Sequence, residues 1–349
     1  MITSRLRRGR PVAALALAVA TAVGLSACGS GSSGSGDPKT VNLVAYSVPK
    51  PAYDALTTAF GKTSEGSGVK ITASYGASGT QATAVTNGQK ADVVNFSVGS
   101  DMSKLVPSRV AEGWDSGPTK GIISDSVVVI VVRPGNPKGI HNWSDLTKPG
   151  LQILTPDPQQ SGGARWNIVG AYGAAMRGHV PGYTANDSAS AEKLLEGIFK
   201  NVTVLDKSAN DSFKNFESGN GDVAITYENQ ALAGIAAGSK DQFVIPPSTV
   251  SIQTPTVVVD ANAEKHCVAP IAAAFVKYLH TPEAQDVFQS VGYQRPISVA
   301  DAKKGNGSEY PPVQDLFTTD DLGGWDKLTS DTVFGPSGAF TKAFQAAKG

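Results

Sequence analysis

Reactive and metal-binding side chains are scarce in this chain. Its 349 residues include two cysteines and four histidines. Two cysteines cannot make a disulfide framework. His141, His179, His266 and His280 form no cluster with Cys267 at metal-ligand spacing, and there is no His-Glu-x-x-His, so no metal site is expected. A Gly-x-Ser-x-Gly elbow is missing too, and no histidine stands at a suggestive position, which counts against a hydrolase using Ser78 or Ser161. Nor is there an excess of one charge: 30 Lys and Arg balance 30 Asp and Glu. Arg5, Arg7, Arg8 and Arg10 precede Cys28 with no acid among them. The rest therefore holds 26 basic (30 − 4) against 30 acidic residues, a net of −4. Nothing in that balance points to nucleic acid, and an anionic ligand would need a local site to hold it against a mildly unfavourable field.

Long apolar runs are absent apart from Pro11–Leu25, which follows the four arginines and is too short to span a bilayer comfortably. It reads as a secretory signal. Its end, Leu25-Ser26-Ala27-Cys28, resembles the bacterial lipobox, in which the cysteine becomes the lipidated first residue. Residues 1–28 are thus expected to be a lipoprotein leader, and 29–39, nearly all Gly and Ser, a flexible tether. The expected location is extracytoplasmic, on the cell membrane through Cys28. With Cys28 modified, Cys267 reads as a buried, inert thiol.

What the chain does have is a repeated turn. Leu151-Gln152-Ile153-Leu154 reads as a strand, Pro156 and Pro158 stop it, and a helix follows from Gly162. Ser161 is a good N-cap, and Gly162 and Gly163 let a ligand approach the backbone. First-turn amides lack intrahelical partners and the helix dipole adds roughly half a positive charge, so such a turn is an anion site. Gly76-Ala77-Ser78-Gly79-Thr80-Gln81-Ala82 follows the alternating strand 69–75 in the same way. Ser208-Ala209 follows the strand 202–205. Three strand-to-helix turns of this kind suit a converging set of helix N-termini.

Along the chain, strands and helices alternate at a spacing that predicts βαβ units and mostly parallel sheets. Strands are expected at 41–46, 69–75, 92–96, 127–132, 151–154, 202–205, 223–226 and 253–260, with a helix through Met102 to Val110 among those between them. The run Val127–Val132 is apolar throughout, as for a strand buried on both faces. Crossings near 124 and 254 divide the chain into a discontinuous first domain, 40–123 with 255–349, and a second, 124–254. Gly61-Lys62-Thr63 lacks the glycine of a phosphate-binding loop, because Leu56 stands there. Gly219-Asn220-Gly221 precedes a strand instead of following one, so neither is a nucleotide site. Asp320-Asp321 reads as solvated surface, and Trp143 and Trp325 as packing.

The turns carry a resemblance that covers nearly everything after residue 40. Six patterns occur in one order: Gly-x-Ser-Gly-x-Gln-Ala from Gly76, Ala-Asp-Val-Val at 91–94, Gly-Asn-Pro-Lys-x-Ile-x-x-Trp-x-Asp-Leu at 135–146, Pro-x-x-Ser-Gly-Gly-Ala-Arg-Trp at 158–166, Phe-Lys-Asn-Val-x-Val-Leu-Asp at 199–206, and Gly-Asp-Val-x-Ile-x-x-Glu-Asn-x-Ala-Leu at 221–232. Together they resemble the periplasmic sulfate-binding proteins of ATP-binding-cassette importers. The resemblance implies a type II two-domain periplasmic-binding-protein fold, sulfate in the interdomain cleft, a membrane permease as partner, a monomer and no cofactor. It implies anion contacts from Ser78, Ser161, Gly162, Gly163 and Ala209, with Arg165 bracing the backbone. Two positions depart from the pattern: Tyr227 stands for the family's tryptophan and Ser47 for its aspartate. The same ligand with an altered donor set is expected, and thiosulfate, molybdate or another tetrahedral oxyanion is the alternative.

Overall fold

The computed structural model describes residues 39–305 and 310–348. The expected leader, the lipobox and all but the last residue of the tether lie outside the described residues. The strands are β1 (Lys39–Tyr46), β2 (Val69–Gly76), β3 (Val93–Asn95), β4 (Ile122–Ser124), β5 (Val128–Val132) and β6 (Ile153–Pro156). They continue with β7 (Val202–Asp206), β8 (Val223–Tyr227), β9 (Gln242–Val244), β10 (Ser248–Val250), β11 (Thr254–Val258) and β12 (Asp315–Phe317). These build two five-stranded sheets, β2-β1-β3-β11-β4 and β7-β6-β8-β5-β9, and a ribbon of β10 with β12.

Side-chain alternation decides which face each residue serves. In β1, Val41, Leu43 and Ala45 join one apolar cluster and Val44 the cluster on the other face. In β5, Val128, Ile130 and Val132 face one way and Val129 and Val131 the other, so every residue of the strand is buried. The sheets are mixed, where mostly parallel pairing was expected. β11 runs antiparallel to β3 and β4, and β5 antiparallel to β8 and β9. Both strands enter their sheet from the opposite half of the molecule. The crossover rule that makes βαβ strands parallel therefore does not govern them.

The helices that matter to the cleft are α1 (Lys50–Phe60), α2 (Ser78–Thr86), α3 (Gly99–Met102), α4 (Gly162–Met176), α5 (Ser188–Lys200), α6 (Ala209–Glu217) and α7 (Glu228–Ala236). After them come α8 (Asp260–Lys265), α9 (Ala269–Tyr278), α10 (Pro282–Ser290), α11 (Val299–Lys304), α12 (Gly324–Lys327) and α13 (Ala339–Lys348). Helix α3 spans only Gly99–Met102, short of the expected Val110, and Pro107, which offers no amide and disfavours helical backbone at Val106, keeps a regular helix from running through 103–110. Helix α4 is buried almost throughout. Its small residues permit that: a Cβ on Gly173 would lie 2.3 Å from the Phe317 ring.

The chain passes from β4 to β5 through 125–127, returns between β10 and β11, and crosses a third time after Arg295. The C-terminal stretch, which the sequence reading assigned to the first domain, packs on the side of the second sheet. β12 pairs with β10, and Phe340 and Phe344 of α13 meet Phe199 of α5 at ring distances of 5.0 and 5.7 Å. Cys267 also differs from expectation. It follows the end of α8 in a left-handed turn (φ 57°) and is exposed rather than buried.

Candidate anion-binding site

Between the sheets lies a small cavity of about 10 Å³. Sites for organic ligands offer about 300–1,000 Å³. This one suits a single small ion. Ser47, Ser78, Ser161, Gly162, Gly163, Ala209 and Tyr227 all line it, and Arg165 does not. None of its described lining residues carries a charge.

Three helices begin at its wall: Ala77 and Ser78 open α2, Ser161 to Gly163 open α4, and Ser208 and Ala209 open α6. The strand end Tyr46-Ser47-Val48 before α1 and Tyr227 before α7 complete the lining. The first turns of α2, α4 and α6 present amides without intrahelical partners and the positive ends of their dipoles. Local caps decide which donors stay free. Ser208 Oγ accepts from the Asp211 amide at 3.1 Å, leaving the first amides of α6. Ser161 holds extended backbone (φ −104°, ψ 123°) at the N-cap of α4 without a side-chain cap bond, so its hydroxyl is available beside the Gly162 and Gly163 amides.

Ser78 departs from the implied role. Its hydroxyl donates to buried Asp101 at 2.6 Å and accepts from the Ser97 amide at 3.0 Å. The donor it leaves for the cavity is its own backbone N–H, the first of α2. Asp101 is also met by Lys104 at 2.8 Å and by Arg165 at 3.5 Å. Arg165 donates through Nε to the Pro158 carbonyl at 3.3 Å and through Nη1 to Ser100 Oγ at 3.3 Å, bracing the turn before α4. Tyr227 shares a 2.7 Å hydrogen bond with Ser97 Oγ and stacks on Tyr46. Burial pushes its phenol well above the ordinary value, so it keeps its proton and remains a donor.

Sequence reasoning missed Ser97 and Tyr46. Ser97 follows β3 much as Ser78 follows β2, but the helix after it is a single turn and gave no periodic pattern. Hydrogen bonds cross the cleft around the cavity: Gly79 N–H to the Gln160 carbonyl (2.9 Å), Asn210 Nδ2 to the Ser47 carbonyl (3.0 Å), and Trp166 Nε1 to the Ser97 carbonyl (2.8 Å). They shut the two halves on each other.

Two α/β halves closed over an uncharged cavity ringed by helix N-termini are the architecture of the two-domain periplasmic binding proteins. A family described as bacterial extracellular solute-binding protein matches residues 41–294. The sulfate-binding protein of Synechococcus elongatus is 40% identical over 319 residues, covering 90% of this chain and 89% of that one. The sulfate-binding protein of Salmonella typhimurium is 39% identical over 297 residues, covering 82% and 88%. Among solved structures, the sulfate-binding protein SubI from Mycobacterium tuberculosis H37Rv superposes with a TM-score of 0.76 at 37% identity, covering 83% of this chain and 98% of that one. The chain belongs to the periplasmic sulfate-binding protein family.

Proposed function

We propose that this protein captures sulfate between its two halves and delivers it to the membrane permease of an ATP-binding-cassette importer. The observation that carries the reading is the convergence of three helix N-termini, those of α2, α4 and α6, on one small cavity lined by uncharged residues. A dianion in such a site is held by backbone amides and hydroxyls whose dipoles spread its charge. In this reading Ser161 gives its hydroxyl, Gly162, Gly163, Ala209, Ser78 and Ser47 their amides, and Tyr227 its phenol. Arg165 keeps the α4 turn in place. None of the described lining residues is a carboxylate, so hydrogen phosphate would bury a proton without a strong acceptor, at about 1–3 kcal/mol. None of the described lining residues is a histidine, which favours capture over hydrolysis. Calorimetric titration with sulfate, thiosulfate, molybdate, tungstate and phosphate tests the reading. Sulfate is expected to bind tightest and phosphate negligibly, and a preference for phosphate would overturn it.

The first domain of this reading comprises 40–123 and 255 to about 295, and the second 124–254 with the stretch after the third crossing. The packing of α13 on α5 attaches the C-terminal stretch to the second. The protein acts as a monomer, tethered by a lipid on Cys28. Cys28→Ser is expected to leave sulfate binding unchanged and to move the protein from the membrane to the soluble fraction. Membrane retention of that variant would refute the anchor.

A further inference from the structure

The loop Ser97-Val98-Gly99 belongs to the first sheet's half, directly after β3, yet it is gripped by two tryptophans of the other half. Trp166 of α4 donates its indole N–H to the Ser97 carbonyl at 2.8 Å. Trp325 of α12 stands edge-on to Trp166, with ring centroids 4.7 Å apart and planes at 75°. It reaches so close to Gly99 that a Cβ there would lie 3.2 Å from its Cδ1. Between these contacts Val98 is buried in the apolar cluster of the second half. The segment carrying Trp325 is fixed to that half at both ends, by buried Phe317 and Leu328. An exposed pair between Lys120 and Asp320 (2.8 Å) adds a further tie from the same segment to the first half. Ser97 in turn holds Tyr227 at the cavity wall. Opening the cleft must pull Val98 out and break the contacts of both tryptophans with the loop.

We infer that Trp325 is a positioning residue of the anion site: it clasps the Ser97–Gly99 loop in the closed state and thereby sets how long the ion stays. The inference rests on the reading of the cavity as a sulfate site. A clasp made only after closure acts on release and leaves capture almost untouched. The two indoles lie in one half and stay paired on opening; what opening breaks is the contact of Trp325 with Gly99 and its loop, and each 1.4 kcal/mol of that contact is about tenfold in rate.

Release of radiolabelled sulfate on rapid dilution, and uptake on mixing, separate the two rates. Trp325→Ala removes the contact with the Gly99 loop and is expected to release sulfate about tenfold faster than wild type, with association within about twofold. Trp325→Phe restores an aromatic edge and is expected to restore slow release. Gly99→Val pushes Trp325 aside without removing it and is expected to speed release as well, which covers the case of a poorly folding Trp325→Ala. A packing role alone would lower the melting temperature of the sulfate-free protein and leave release unchanged; release at the wild-type rate in Trp325→Ala or in Gly99→Val would overturn the clasp. If wild type captures no sulfate at all, the proposed function falls. If wild type captures it and the variants hold it equally long, only the clasp falls.

Discussion

Gly162 and Gly163 begin an ordinary helix, so what they supply is space, not an unusual φ. A Cβ on Gly162 would stand 2.6 Å from Ser97 Oγ and 2.7 Å from Ser97 Cβ; on Gly163 it would meet the Tyr227 ring at 2.9 Å and Ala209 Cβ at 3.0 Å. A branched side chain at 162 therefore wedges the two halves apart and displaces several donors together. Ser161→Ala removes one hydroxyl and keeps the N–H. Its expected loss is about 1.5–3 kcal/mol, the range for a hydrogen bond to a charged partner, or roughly ten- to 150-fold in affinity. Gly162→Val is expected to lose more although it deletes no donor. Tyr227→Phe should fall in the Ser161→Ala range, because the buried phenol is protonated and lines the cavity. Titrations with sulfate, each variant checked by thermal melt, give the order. Wild-type binding by Gly162→Val would move the anion off the α4 N-terminus.

At the level of elements, the turns were legible because their rule is local. A strand, a short turn and a serine at the start of a helical run locate an N-terminus from a dozen residues, and α2, α4 and α6 begin where that rule puts them. Helix α7 was not anticipated, although Tyr227 before it was singled out, because Glu228-Asn229-Gln230 looks polar and its burial depends on partners far along the chain. The directions of β5 and β11 were illegible for the same reason: crossing between halves is a property of the whole path. The C-terminal helix is the clearest case. Its alanines and phenylalanines announce an amphipathic helix, and nothing in them says which half it covers. It covers α5, where Phe340 is buried against Phe199 and Phe344. Phe340→Ala should cost about 3–5 kcal/mol in urea unfolding. A cost below about 1 kcal/mol would mean that α13 does not hold this position in solution.

For the molecule as a whole, the cavity and the crossings answer differently to pH. Tyr227 titrates well above neutrality and sulfate stays a dianion, so affinity is expected to be nearly flat from about pH 5 to 8. A calorimetric pH series checks this, and a step with a histidine-like midpoint would expose a protonated contact absent from this account. The crossings hold the buried charges. Arg295 donates to both Glu228 carboxylate oxygens at 2.6 Å and to the carbonyls of Ala302 and Pro311, and its amide donates to the Asp125 carbonyl at 2.8 Å. Asp125 in turn accepts from Ser251 Oγ at 2.5 Å, so all three crossing segments are tied at one place. Burial pushes both Glu228 and Asp125 above the ordinary carboxyl values, and Arg295 opposes the rise in each. Arg295→Met removes that opposition and strands a buried carboxylate, a change that costs about 3–5 kcal/mol when the charge remains. Relief comes from protonation. A carboxyl whose folded-state pKa lies above its unfolded one (4.5 for Glu228, 3.8 for Asp125) binds extra protons when folded, so its contribution to stability falls as pH rises above those values. The loss caused by Arg295→Met is therefore expected to be distinctly smaller at pH 5 than at pH 8 in urea unfolding. Equal losses at the two pH values would show that Glu228 keeps its charge without Arg295, and that the crossings are not held by this pair.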